Sequence, residues 1–263
     1  MVLQKRGRAF RIGVRSLKRG MERYICIHGH FYQPPRENAW LGVIERQDSA
    51  YPFHDWNERI NAECYAPNAA ARILDGGGYI ARIVSNYDKM SFNFGPTLLA
   101  WMQHNAPDTY KAILDADEAS KRNFGGHGSA MAQAYSHMIM PLASTRDKYT
   151  QVLWGVRDFE HRFGRRPEGM WLPETAVDME TLDIMSKMGI AFTILSPHQA
   201  VRVRRMGDEN WVSLSHEQID FRMPYAVDLG NGRSIAVFFY NGPISRNVAF
   251  DKILSDGKGF ATS

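Results

Sequence analysis

Residues 169–195, GMWLPETAVDMETLDIMSKMGIAFTIL, combine two strand-like segments with a helical segment between them. Gly169–Leu172 is a short apolar run, and Asp178 is placed as the N-cap of a helix that Gly189 ends. Ile190–Leu195 is apolar and contains β-branched residues, which favours a buried strand. A strand, a crossover helix and a second strand predict an α/β fold with parallel strands.

The same alternation extends along the rest of the chain. Strands are predicted at Tyr24–Ile27, Ile80–Val84 and Met90–Phe94. Prolines at first helical positions and a Ser144/Asp147 capping pair predict helices from Pro67 to about Asp75, from Pro96 to about Gln103, from Pro107 to about Arg122 and from Ser144 to Gly164. A turn at Asp228–Arg233 predicts a hairpin between Phe221–Val227 and Ser234–Tyr240.

Length and composition indicate a globular protein. The 263 residues suffice for one large α/β domain, and 12% of them are aromatic. The cysteines, Cys26 and Cys64, show no metal-binding spacing and no disulfide framework, which favours a reducing cytoplasm. No run of 18 apolar residues is present, so the sequence predicts no membrane span.

The positive net charge comes from the first 20 residues. They contain seven Lys and Arg residues and no acid, and the remainder holds 25 basic and 28 acidic residues. We therefore expect a basic, disordered head at residues 1–20 and one domain at residues 21–263. The mildly acidic domain argues against nucleic acid as a partner.

Polar groups gather where predicted strands end, which is where parallel barrels place their active sites. His28 and His30 follow the first strand and, two residues apart, point to the same side. They could contact substrate, bind a metal ion or form a polar turn. Gln33 follows in the same motif, and Asn93 lies at the end of a later strand.

The motif Trp171-Leu172-Pro173-Glu174 comes directly after a strand. Pro173 stiffens the backbone before the acid, and Trp171 offers a flat aromatic face. A carboxylate at a strand end beside an aromatic ring suits a glycosidase, where it can attack an anomeric carbon. The alternative is an exposed glutamate that begins a loop.

Two weaker motifs add candidate residues. Gly125-Gly126-His127-Gly128-Ser129 allows close backbone approach, so His127 could contact substrate or belong to a structural turn. The segment from Trp56 to Tyr65 is rich in cleft-lining residue types, and Glu63 is its candidate for substrate contact.

Together these motifs resemble glycoside hydrolase family 57 over roughly residues 21–254. His30-Phe31-Tyr32-Gln33-Pro34 is similar to the family's opening His-Gln-Pro region, and Gly126-His127-Gly128 to its second region. Trp171-Leu172-Pro173-Glu174 resembles the third region, whose glutamate is the nucleophile. The longer motif that begins at His28, together with Ser91–Pro96, is similar to one branch of the family.

The resemblance implies an incomplete (β/α)7 TIM-like barrel and a retaining mechanism on α-glucans or related α-glycosides. It implies Glu174 as the nucleophile and no metal or organic cofactor. Sugar contacts are expected from the other candidate residues: His28, His30, Gln33, Glu63, Asn93, His127 and Trp171.

One part of the family's pattern is missing from the sequence. A retaining glycosidase needs a second carboxyl group, which in this family is an aspartate in a fourth, downstream region. No matching region precedes Ser263. We therefore expect a chain that is truncated at its C-terminus and catalytically incomplete. The alternatives are a metal-dependent barrel hydrolase that uses His28 and His30, and a non-catalytic glycan-binding barrel fragment.

Overall fold

The computed structural model describes residues 2–5, 24–214, 219–230 and 232–262. The strands in these ranges are β1 (Val2–Lys5), β2 (His28–Phe31), β3 (Ala71–Leu74), β4 (Ile80–Val84), β5 (Ser91–Phe94), β6 (Ala132–Gln133), β7 (Met170–Trp171), β8 (Phe192–Leu195), β9 (Arg202–Arg205), β10 (Val212–Ser213), β11 (Tyr225–Gly230) and β12 (Arg233–Phe239). The α-helices are α1 (Trp56–Ile60), α2 (Ala66–Ala69), α3 (Pro96–Asn105), α4 (Pro107–Asn123), α5 (Thr145–Phe163), α6 (Met179–Lys187), α7 (Gly242–Phe250) and α8 (Gly257–Thr262).

The chain divides into two compact units. The first comprises residues 1–10, 138–152 and 168–263 and is called the glutamate unit, because it contains Glu174. The second comprises residues 11–137 and 153–167 and is called the histidine unit, because it contains His28 and His30.

The glutamate unit contains a six-stranded sheet with the order β10-β9-β1-β11-β12-β8. Strands β11 and β12 form an antiparallel hairpin, while β12 and β8 run parallel. Helix α6 packs on β11 and β12, and it buries Leu182 and Met185 completely. Val227 and Val237 of the hairpin are also fully buried, so the core of this unit lies between the sheet and α6.

The histidine unit is built around the parallel pair β2 and β5, in which His28 pairs with Ser91 and His30 with Asn93. An aromatic cluster packs beside the pair. The rings of Phe31 and Phe94 stack with centroids 4.7 Å apart, and Tyr87 meets both rings edge-on. This aromatic core positions the backbone that carries the two histidines.

Several predicted elements are confirmed. Helices α3 and α4 begin at Pro96 and Pro107, as the prolines indicate. Asp178 caps α6, because its Oδ1 accepts a hydrogen bond from the Thr181 amide at 2.8 Å. Ser144 Oγ likewise accepts from the Asp147 amide at the start of α5. The β11–β12 hairpin lies where the Asp228–Arg233 turn predicts it.

Two predicted elements are wrong. The first strand is His28–Phe31 rather than Tyr24–Ile27, because the later residues form the ladder with β5 and Ile25 is 94% exposed. The helix predicted to reach Asp75 ends at Ala69, and Ala71–Leu74 is a strand that pairs antiparallel with β4. Tertiary pairing overrides local helix propensity here.

The α/β class is confirmed, but the described residues do not form a closed barrel. The sheet of the glutamate unit includes the antiparallel pairs β1–β11, β11–β12 and β9–β10, whereas a (β/α) barrel is parallel throughout. The short turn between β11 and β12 forces that reversal, because parallel neighbours need a longer crossover.

Of the basic head, the structure describes Val2–Lys5, which lies between β9 and β11 as strand β1. The other residues of the head lie outside the described ranges, and disorder of the head stays a prediction. No helix in the described part of the chain combines the length and the apolar character that crossing a membrane requires.

Candidate functional site

Asn93 lies at the centre of a polar network in the histidine unit. Its Oδ1 lies 3.1 Å from His28 Nε2, and its Nδ2 lies 3.0 Å from His30 Nδ1. Nδ2 also donates to Gln133 Oε1 at 2.7 Å. Both histidines therefore contact the same amide, as their two-residue spacing predicts. We call His28, His30, Ser91, Asn93, Gln133 and His137 the histidine cluster.

Hydrogen-bond chemistry assigns the protons of the cluster. An amide oxygen only accepts, so His28 Nε2 carries a proton and His28 Nδ1 accepts from Ser91 Oγ at 2.8 Å. His30 Nδ1 lies 3.0 Å from Asn93 Nδ2, which only donates, and 3.3 Å from Asn93 Oδ1, which only accepts. The shorter contact favours His30 Nδ1 as an acceptor, with the proton on Nε2. His30 Nε2 then donates to His137 Nε2 at 3.1 Å. In this arrangement His28 and His30 each carry one ring proton, on Nε2.

Both central histidines are held in the neutral form. Burial lowers the pKa of His28 to about 4, an effect that the hydrogen bond to Asn93 opposes. Burial also lowers the pKa of His30 to about 4, and the proximity of His137 lowers it further. Near neutral pH, His28 and His30 therefore present uncharged donors and acceptors, which suit sugar hydroxyls better than anions.

Acidification is expected to destabilise the fold through these two histidines. An unfolded histidine has a pKa of about 6.5, so between that pH and about 4 the unfolded chain binds protons that the folded chain does not. Stability is then complete at pH 7 and falls towards pH 4. The loss at pH 5 is on the order of 1–2 kcal/mol for each histidine. Urea unfolding at pH 7 and pH 5 measures it.

The matched variants for this measurement are the double variant His28→Gln/His30→Gln and the single variant His104→Gln. His104 is exposed on α3, so its replacement should leave the pH dependence of stability unchanged. The double variant should flatten it. An equally steep pH dependence in the double variant and in the wild type would contradict the assignment.

Three residues in or beside the histidine cluster are not predicted as site residues from the sequence: Tyr32, Gln133 and His137. His137 stacks on Tyr32 with ring centroids 3.7 Å apart, and its backbone is left-handed with φ 56°. Gln133 is 2% exposed, and within the described residues its Nε2 has no hydrogen-bond partner. Gln133 is the last residue of β6, so the rule that places polar groups at strand ends could have found it, whereas His137 lies four residues beyond that strand.

Glu174 lies in the glutamate unit, in a tight turn directly after β7. The Thr175 amide donates to Leu172 O at 2.9 Å and so closes the turn. Glu174 has φ 55° and ψ 18°, and Thr175 has φ 53°. Turn positions with positive φ normally carry Gly or Asn. Two consecutive non-glycine residues in this region cost about 1–3 kcal/mol each.

Neighbouring groups hold this strained turn in place. Pro173 and Thr175 are buried, whereas the Glu174 side chain is exposed. Gln199, which follows β8, donates from Nε2 to Thr175 O at 2.7 Å and accepts from the Ser196 amide at 2.8 Å. Gly169, just before β7, pairs parallel with Phe192 of β8. The turn and its anchor therefore follow adjacent parallel strands, as expected of a site at strand ends.

Trp171 and Gln33 are two further residues that the sequence predicts to contact substrate. Trp171 is half-buried on β7, three residues before Glu174. Gln33 donates to Tyr65 Oη at 3.2 Å and accepts from Arg36 Nη2 at 2.6 Å. Gln33 thus belongs to a network with Arg36 and Tyr65.

The glycine-rich turn has a clear structural role. Arg165 and Asp117 occupy the space into which a Gly128 side chain would project, at 2.3 and 2.4 Å from an ideal Cβ. Asp117 is 2% exposed and accepts from Arg165 Nε at 2.8 Å. Gly128 is therefore needed for the turn to pass over a buried ion pair. His127 is exposed in this turn, and the hydrogen bonds given above for the histidine cluster do not include it.

Glu63 lies in the π-helical segment Asn61–Tyr65 that joins α1 to α2. Its carboxylate accepts from Arg59 Nε at 3.0 Å, and its side chain is 51% exposed. This is the geometry of a helix surface pair, one turn apart.

The described ranges of the chain provide no ligand set for a metal ion. No group of three or more His, Cys, Asp or Glu side chains there is arranged to hold a metal ion. Both ring nitrogens of His28 are already hydrogen-bonded, to Ser91 and Asn93.

Comparison with known proteins places these motifs in a family. The model of glycosyl hydrolase family 57 matches residues 59–258. Alpha-amylase 1 of Dictyoglomus thermophilum is 23% identical to the chain over 161 residues, which are 61% of this chain and 20% of that protein.

Two crystal structures share the fold. The 4-alpha-glucanotransferase from Thermococcus litoralis aligns with 87% of this chain and 30% of its own, with a TM-score of 0.52 and 19% identity. The exo-type maltose-forming amylase from Pyrococcus sp. ST04 aligns with 86% of this chain and 36% of its own, with a TM-score of 0.56 and 17% identity.

The chain spans about a fifth of the amylase from Dictyoglomus and about a third of each of the two crystal structures. The family model nevertheless covers most of the chain, including the Glu174 motif. The resemblance inferred from the sequence is thereby confirmed: the chain belongs to glycosyl hydrolase family 57.

Proposed function

We propose that the chain carries the nucleophile of a retaining glycoside hydrolase or transglycosylase that acts on α-glucans, with Glu174 as that nucleophile. The family and its amylase and glucanotransferase members support the substrate class. The strands would contribute to a (β/α)7 barrel, and the cytoplasm is the proposed location, in keeping with the free Cys26 and Cys64.

The observation that carries this proposal is the backbone of Glu174. A glutamate at φ 55° is strained, and glycine would relieve the strain. Strained residues persist where the surrounding structure over-determines them, and they cluster at active sites. Here the anchor from Gln199 holds the turn, and the exposed carboxylate is aimed by a rigid turn rather than by a mobile loop.

The proposed chemistry is a double displacement. A Glu174 carboxylate oxygen attacks the anomeric carbon, the bond from that carbon to the leaving oxygen breaks, and the leaving oxygen takes the electron pair and a proton. Water or an acceptor hydroxyl then attacks the same carbon and releases the carboxylate. An aspartate is proposed as the acid and base, and no residue of the described chain is assigned to that role.

The other predicted residues would bind the sugar. His28, His30 and Asn93 present neutral donors and acceptors, and Trp171 would form an aromatic wall. Substrate contact by Gln33, Glu63 and His127 stays a proposal. Gln33 hydrogen-bonds to Arg36 and Tyr65, Glu63 pairs with Arg59, and His127 lies in the glycine-rich turn.

A covalent trap tests the role of Glu174 directly. A 5-fluoro-α-glucosyl fluoride carries a leaving group that departs as fluoride without protonation, so labelling needs the nucleophile but no acid. We expect the protein to gain one fluoroglucosyl group, and peptide mass spectrometry should locate it on Glu174. The Glu174→Gln variant should gain none.

Glu209→Gln is the matched control, because Glu209 is an exposed glutamate of the same unit. It should be labelled like the wild type. A label on any other carboxylate, or equal labelling of the Glu174→Gln variant, would remove Glu174 from the mechanism.

A further inference from the structure

A shallow cleft of about 460 Å³ lies in the histidine unit, and its lining residues are not among the candidate site residues assigned above. It is lined by Tyr135, Trp154, Arg157, Asp158 and His161. The last four are spaced i, i+3, i+4 and i+7 on α5, so they share one helix face. The volume falls within the range of small-molecule sites.

Two aromatic rings form a corner of this cleft. Tyr135 and Trp154 meet edge to face, with centroids 5.5 Å apart and planes at 85°. Trp154 is 51% exposed. An aromatic ring that is exposed and held by a neighbour can pack against the apolar face of a sugar ring, at a low cost in conformational entropy.

Asp158 supplies a positioned acceptor in the same cleft. Its two carboxylate oxygens lie 3.0 and 3.1 Å from Arg162 Nε. Arg162 is fixed in turn, because its Nη1 donates to Gln103 Oε1 and Tyr110 Oη, each at 3.1 Å. A carboxylate has about four acceptor sites, so Asp158 can still accept hydrogen bonds from ligand hydroxyl groups.

The charges that line the cleft are balanced. Arg157 and Asp158, one cation and one carboxylate, line the cleft. Arg157 donates to Glu160 at 2.9 Å, an acid that also pairs with Arg166, and Asp158 is paired with Arg162. A phosphate or an acidic peptide would find no surplus of positive charge here. A neutral ligand with many hydroxyl groups matches both the aromatic corner and the paired polar groups.

We propose that this cleft is a second carbohydrate-binding site, which holds an α-glucan chain through residues other than those proposed to bind the sugar that is cleaved. The glucan class rests on the proposed function. Tyr135 lies between Gln133 and His137 in the chain, so one short segment contributes side chains both to the histidine cluster and to the cleft.

Isothermal titration with maltoheptaose tests this site in the 263-residue chain, with the Glu174→Gln replacement present throughout so that the ligand is not consumed. Trp154→Ala should raise the Kd about fivefold to tenfold. Trp154→Phe should keep part of the affinity, because it retains an aromatic face. Trp40→Ala is the matched control, since Trp40 is 95% exposed and lies outside the cleft. It should bind like the parent. Thermal melting confirms that each variant is folded.

Two outcomes would overturn the second site while the proposed function stands. One is maltoheptaose binding by Trp154→Ala with the affinity of the parent, and the other is an equal loss in Trp154→Ala and Trp40→Ala. Binding of cellohexaose as tight as that of maltoheptaose would overturn the α-glucan assignment of the cleft. The proposed function fails by a different result, which is the absence of any fluoroglucosyl label on Glu174 in the wild type.

Discussion

Replacement of Glu174 by glutamine is expected to lower the rate of fluoride release from α-maltosyl fluoride by about a thousandfold or more. The amide keeps the size of the side chain but is a very weak nucleophile, so the first displacement loses its attacking group. A rapid measurement of fluoride release isolates this step, because fluoride departs without help from an acid. The fold should be unchanged, since the Glu174 side chain is exposed.

Glu174→Gly separates the role in catalysis from the cost in stability. Glycine adopts φ 55° without strain, so this variant should be as stable as the wild type or more stable, by up to about 1 kcal/mol. It should release fluoride as slowly as Glu174→Gln. A glycine variant that is clearly less stable than wild type would show that the glutamate side chain contributes to folding. Near-normal fluoride release by the Glu174→Gln variant would contradict the assignment of Glu174 as the nucleophile.

The second large effect concerns the stability of the histidine unit. Asp117→Asn is expected to lower the free energy of unfolding by about 3–5 kcal/mol, because it leaves a largely buried guanidinium without its countercharge. Asp117 Oδ1 and Oδ2 accept from Arg165 Nη2 and Nε at 2.7 and 2.8 Å. Oδ1 also accepts from the Ala130 amide at 2.8 Å. The pair therefore ties α4 to the segment before β6. Chemical denaturation measures the loss.

Asp115→Asn is the matched control on the same helix. Asp115 also forms an ion pair, with Lys111, but the two side chains are 62% and 74% exposed. Its loss should cost less than about 1 kcal/mol, because water screens the exposed pair. Equal free energies of unfolding for the two variants would contradict the view that burial makes the Asp117–Arg165 pair important for stability.

Helix boundaries with local signals are predictable from the sequence. Pro96 and Pro107 start their helices because proline is pre-organised for the first turn, and Asp178 starts α6 because its side chain caps a free amide. Ala71–Leu74 is mispredicted because its strand conformation depends on pairing with β4, whose residues come later in the chain.

Some residues of the candidate site can also be predicted from local sequence signals, and others cannot. His28, His30, Asn93 and Glu174 are predicted as site residues from the sequence, because polar residues stand at the ends of apolar runs. Gln133 and His137 join the first three through hydrogen bonds across 40 and 107 residues of chain. Sequence spacing does not predict contacts over such separations.

The sequence by itself determined the α/β class, the capped helices and the family, and it predicted Glu174 as the nucleophile. Those features depend on residue type and on spacing within a few turns of chain. Tertiary structure decided the neutral tautomers of the histidines, the buried pair beneath Gly128 and the left-handed backbone of Glu174. Each of these arises from groups that are distant in sequence and meet only in the folded chain. Glutamate and threonine do not adopt positive φ by preference, and the anchor that holds them there follows a different strand.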